Sequence, residues 1–142
     1  MLVAKSSIPG RVFTLLVFLQ GALIVTGGAV RVTGSGLGCP TWPECTPGSY
    51  TPVPGQAEGA MHAWIEFGNR LLTFVLLIAA LAAVIPSIMY SKNQSNKLRI
   101  RTLALLQVLG ILGQGVLGGI TVLTDLHPLP VAGHFLLSIL LS

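Results

Sequence analysis

Three long apolar blocks, residues 12–30, 64–89 and 102–123, constrain this chain more than any other feature of it. A helix that crosses a bilayer needs roughly 20 apolar residues, and a helix is required because hydrocarbon offers no water to satisfy an unpaired backbone. Each block is of about that length. Only 8% of the 142 residues are charged, against about a quarter in a soluble domain. The expected fold is therefore an all-α membrane protein, a four-helix transmembrane bundle. The fourth apolar block, residues 131–142, is still running where the sequence stops. At about 1.5 Å per residue it reaches only about 18 Å, short of the roughly 30 Å hydrocarbon core. It reads as the start of a truncated fourth helix, or the sequence as a fragment.

The net charge of +4 could suggest nucleic acid, but its placement argues against that partner and for lipid. Lys92, Lys97, Arg99 and Arg101 cluster between the second and third blocks, and Lys5 and Arg11 precede the first. Residues 34–61 contain no Lys or Arg, and residues 124–130 carry only Asp125. Basic loops stay cytoplasmic. Residues 1–11 and 90–101 are thus expected inside, and residues 31–63 and 124–130 outside. A cleaved signal peptide is the rival reading of the first block. That block is longer than a usual signal core and is followed by Arg31 and a glycine run instead of a small-residue cleavage site.

The outer segment after the first block is too rich in Gly and Pro for a continuous helix. At roughly 30 residues it is also long for a mere connection, and loops of that length are either functional or disordered. Its glycines at 34, 36 and 38 superficially resemble a phosphate loop, but no strand precedes them and no helix opens after them. Pro86 is expected to kink or end the second helix near the inner surface. Gly115 and Gly119 form a GxxxG pair, for which close helix packing is the simpler reading and ligand contact the alternative. Gln20, Gln107 and Gln114 are amides in an apolar bundle, either interhelical glue or groups facing a polar ligand.

Chemistry-bearing residues concentrate at the outer ends of the helices. His62, Glu66, Asn69 and Arg70 fall on about one helical face. An ionisable group at the membrane boundary is expensive and points to function; Glu66 is equally consistent with an i, i+4 ion pair to Arg70 that only anchors the helix. His134 enters the fourth helix from outside, at a depth similar to Asn69, and is either a hydrogen-bonded core residue or an axial ligand for heme iron. His127, on the short outer loop, reads as a surface residue. Cys39 and Cys45 both lie in the outer loop, where a disulfide would persist. Such a bridge is either a loop staple or an exchangeable redox pair. Their spacing is not a zinc pattern, because no second ligand pair accompanies it.

Four stretches together resemble the heme A synthase family: Arg31-Val-Thr-Gly-Ser-Gly-Leu-Gly-Cys-Pro-Thr-Trp-Pro-Glu-Cys45, Trp64-Ile-Glu-Phe-Gly-Asn-Arg70, Gly118-Gly-Ile-Thr-Val-Leu-Thr124 and Pro130-Val-Ala-Gly-His134. The resemblance spans essentially the whole chain and about half of a family member, which is built as two pseudo-symmetric four-helix bundles. It implies a multi-pass oxidoreductase of the cell membrane that oxidises a methyl group of heme O to a formyl group, making heme A for terminal oxidases. This chain would be the N-terminal bundle that holds the substrate heme, a heme B derivative, and the absent C-terminal half would carry a heme b cofactor. Heme O synthase is a further partner consistent with that role. The resemblance assigns catalysis to Glu66, iron ligation to His134, a propionate contact to Arg70, and a disulfide to Cys39 and Cys45. At the position where many members carry a second histidine this chain has Asn69, a poor iron ligand. Iron would then be five-coordinate through His134, or His62 would substitute, a full turn nearer the water. The competing classes are a membrane thiol–disulfide oxidoreductase using Cys39 and Cys45, and a catalytically inactive heme-binding fragment.

Overall fold

The computed structural model describes residues 8–91 and 97–141. Among them the chain forms four helices in sequence, α1 (Ile8–Val32), α2 (Ala60–Ser91), α3 (Lys97–Leu123) and α4 (Pro128–Leu141), and no strand longer than the single bridge between Thr46 and Ser49. Lys5 and Lys92, two of the residues on which the inside assignment rests, lie outside the described residues.

The helices run past the apolar blocks that seeded them. α2 begins at Ala60, so Met61 and His62 join its first turn, and α3 begins at Lys97, so Arg99 and Arg101 are helical instead of forming a loop. Apolarity sets how much helix can sit in hydrocarbon, but a helix already nucleated continues at little cost through polar residues. α2 also continues through Pro86 to Ser91, so the proline does not end it.

Each helix packs on its sequence neighbour, α1 on α2, α2 on α3, and α3 on α4. The centre is a small cluster of Leu16, Leu76, Ala80, Ala83 and Ile111, with Leu19, Leu23 and Val108 packed against it. Alanines on α2 let its neighbours approach, because helix association in lipid depends on close packing. The opposite faces expose Phe18, Phe74, Leu109 and many other large apolar residues. Such surface would be an aggregation hazard in water and is what acyl chains cover in a bilayer. With three helices long and apolar enough to span, the molecule is a helical membrane protein.

Two helix ends place the loops that build the site. α1 closes in a Schellman turn: Ser35 N–H donates to Val30 O (2.9 Å) and Gly34, at φ +70°, turns the chain over the bundle end. α3 closes the same way, Leu126 N–H reaching Thr121 O at 2.8 Å, but with Asp125 and Leu126 in the left-handed region at φ +50° and +58°. That conformation costs about 1–2 kcal/mol for a residue with a Cβ. The Leu126 side chain is compensated by packing directly on Gly36, which ties the α3–α4 loop to the α1–α2 loop.

Candidate functional site

Glu66 lies on the face of α2 that the loop between α1 and α2 covers, and it is 5% exposed. Its Oε2 accepts the backbone N–H of Cys39 at 2.7 Å, and its Oε1 accepts both Nε and Nη2 of Arg70 at 3.1 and 2.6 Å. Arg70 is the hub of the junction. Its remaining donors reach the carbonyls of Cys39 (2.7 Å), Thr41 (2.9 Å) and Glu44 (3.2 Å), so all five guanidinium N–H groups have protein acceptors. The ion pair left open by the sequence exists, and it binds the loop as well as the helix. For Arg70 to meet a propionate, one of these carbonyls would have to be exchanged.

The loop needs its unusual composition to fit there. Its backbone lies directly on the first turn of α2, where a Cβ at position 38 would collide with the His62 carbonyl, so only glycine is accommodated. Ser35 is fully buried, its hydroxyl 2.9 Å from His62 Nδ1. Gln56 folds back to donate to Gly38 O at 2.8 Å while accepting from Val53 N–H at 2.9 Å. The sulfurs of Cys39 and Cys45 lie 2.09 Å apart, at disulfide distance, and both residues are enclosed. His62 is thereby engaged with the loop. Asn69 faces α1, where its Oδ1 accepts the Thr26 hydroxyl at 2.9 Å.

His134 stands on the seam between α4 and α3. Its ring rests over Gly118, where an added Cβ would come within 3.3 Å of Cε1. Its Nδ1 is enclosed and has no hydrogen-bond partner among the described residues. One turn down α3, Gln114 donates its Nε2 to the His134 carbonyl at 3.2 Å, and its own Oε1 is enclosed and likewise unpartnered among them. His127 is exposed and caps α4, its Nδ1 accepting Leu129 N–H at 3.4 Å ahead of a proline at the first helical position.

Glu66 and His134 are brought to the same end of the bundle. The bridge is Trp42, carried by the loop that Glu66 and Arg70 hold, whose indole packs on Gly119 beside the glycine under the His134 ring. The GxxxG expectation is corrected here. Among the described residues no neighbouring helix comes within 4 Å of the place a Cβ would take at Gly115, and Gly119 seats an aromatic ring instead of a helix backbone.

Comparison with known proteins decides the family. The sequence model of COX15-CtaA, cytochrome oxidase assembly protein, matches residues 10–142. The chain belongs to this family. Among curated relatives it is similar to the heme A synthase of Geobacillus thermodenitrificans, 30% identical over 105 residues that make up 74% of this chain and 30% of the relative. The heme A synthase of Shewanella oneidensis is 33% identical over 144 aligned residues, 88% of this chain and 38% of the relative. That of Shouchella clausii is 35% identical over 122 residues, 85% and 36%. The chain thus spans about a third of the length of these relatives. No solved structure matches it.

In this COX15-CtaA chain the sequence marks Glu66, Arg70 and His134 as candidates, but gives Ser35, Gly38, Trp42 and Gln56 no role of their own: Gly38 reads only as part of a phosphate-loop-like glycine run, and Ser35 and Trp42 only as part of the family stretch 31–45. These four act through the folded loop, and nothing in their local spacing marks the helix positions they meet. Gln114 was noticed as a polar residue in an apolar helix, but its attachment to His134 depends on how α4 packs. An apolar notch of about 240 Å³ is lined by Pro52, Val53, Pro54, Ala60 and Trp64.

Proposed function

We propose that this chain is the substrate-heme half of a heme A synthase, an oxidoreductase that converts a methyl group of heme O to a formyl group in heme A biosynthesis. The observation that carries the reading is the pairing, at one end of a membrane bundle, of an enclosed carboxylate and an imidazole whose Nδ1 is bonded to none of the described residues, which leaves the ring free to take a ligand through one nitrogen and a protein acceptor through the other. A single imidazole suffices for heme, because the porphyrin supplies the other donors to iron. Gly118 leaves the ring room that any side chain would take. Asn69 is turned to Thr26 and His62 to Ser35, which favours ligation through His134 alone.

When bound, heme and its iron supply the electron chemistry. The chain supplies position and charge. Glu66 carries two hydrogen bonds on Oε1 and one on Oε2, which fix the carboxylate in an enclosed site, where it would stabilise positive charge developing on a substrate methyl carbon. Arg70 keeps it in place. In this reading the N-terminus is cytoplasmic, the Cys39–Cys45 loop faces outward across the plasma membrane, and a second bundle holds heme b. The thiol–disulfide alternative is disfavoured because exchange requires access to a sulfur, and both cysteines are at most 1% exposed.

The test is Glu66→Gln in the full-length protein. Heme binding is expected to persist while heme A formation falls about 100-fold or more, as for loss of a charged group acting in the transition state. Extracted heme resolved by chromatography provides the readout. Ordinary conversion to the formyl heme in that variant would remove Glu66 from catalysis.

A further inference from the structure

We infer that Gln114 is a positioning residue for His134, its side-chain oxygen accepting the proton of Nδ1 so that Nε2 is the nitrogen presented to a ligand. The inference deepens the heme reading above and rests on it. The observation is a mismatch of two neighbours. Gln114 is 8% exposed and its Nε2 is bound to the His134 carbonyl, which holds the amide against residue 134. Among the described residues the same amide's Oε1 is enclosed with no donor, and His134 Nδ1 is enclosed with no partner. One of these atoms is an acceptor and the other becomes a donor in one imidazole tautomer.

The geometry places both in one seam. Gln114 and Gly118 are four residues apart on α3 and so share a face. The ring lies over Gly118, with Cε1 nearest and the two nitrogens at 3.8 and 3.9 Å from the position a Cβ would take. The carbonyl of the same residue lies one turn lower, on Gln114. Pairing the two would relieve orphans that each cost about 1–3 kcal/mol while unpaired. Histidines that bind metal donate their other ring N–H to such an acceptor, which orients the ring and raises its basicity. Gln107, seven residues away on nearly the same face, has an enclosed orphan Nε2 but is not bonded to His134, and serves as the control.

The experiment compares Gln114→Glu, Gln114→Leu, Gln107→Leu and His134→Ala in the full chain, titrated with ferrous and ferric heme B in detergent. Both Gln114 variants lose the donor to the His134 carbonyl, but only Glu keeps and strengthens the acceptor for Nδ1. Gln114→Leu is expected to weaken heme binding 10- to 100-fold and raise the midpoint potential of bound heme, while Gln114→Glu lowers that potential and Gln107→Leu leaves both unchanged. A purely structural role for the amide would shift Glu and Leu variants alike. Equal shifts, or none, overturn the inference while His134-dependent heme binding remains. Heme binding indifferent to His134→Ala overturns the heme reading and this inference with it. Helical content by circular dichroism identifies a variant that has not folded, and the isosteric Gln114→Glu then decides.

Discussion

The loop-covered end of α2 and the α3–α4 seam both enclose polar groups, yet they treat them in opposite ways. Around Arg70 all five donors are matched, Glu66 is bonded on both oxygens, and Ser35, His62 and Gln56 close the remaining gaps. Along α3 and α4, Gln107 Nε2, Gln114 Oε1 and His134 Nδ1 are enclosed with no partner among the described residues. An enclosed polar group without a partner is destabilising, so its persistence points to a ligand or to a second arrangement of the site. The saturated region behaves as a clamp that fixes a loop and a charge. The unsaturated one has capacity to spare, and that is where a bound molecule is best placed to contribute.

The largest effect that would break this contrast is expected at Arg70. Arg70→Leu leaves the Glu66 carboxylate enclosed without its cation and frees three loop carbonyls, and should cost about 3–5 kcal/mol, read as a large drop in the detergent melting temperature. A melting curve like that of the parent would mean the clamp is not what holds the loop. Gly38→Ala comes next. Its methyl meets the His62 carbonyl, and the forced shift should cost about 1–3 kcal/mol, with faster proteolysis between residues 40 and 59 as the second readout. The smallest effect, and the one that sharpens the comparison most, is at Gln107. Gln107→Leu removes an orphan amide of similar size and should be neutral or stabilising by up to about 1 kcal/mol. Clear destabilisation there would show that the amide has a partner, and that the seam is less open than it looks.

The legible part of the site was its chemistry by type. An acid four residues before a cation at a membrane boundary, and a histidine early in an apolar helix, stand out because each is costly in hydrocarbon. What stayed illegible was their company. The spacing of Glu66 and Arg70 allowed a private ion pair, and it exists, but nothing local to those positions indicated that Arg70 also binds the carbonyls of residues 39, 41 and 44. The same holds for Gly119, whose GxxxG spacing suggested a helix contact and whose actual neighbour is the indole of Trp42.

Helix number, the membrane class and the order of elements followed from the sequence alone, because apolar length and the absence of charge act on each segment independently of the rest of the chain. Which enclosed groups would be satisfied and which left open was decided only by tertiary packing. A hydrogen bond requires its two atoms to lie within about 3 Å, and for Cys39 with Glu66, or Gln114 with His134, that distance is set by how the loop and α4 settle on their neighbours.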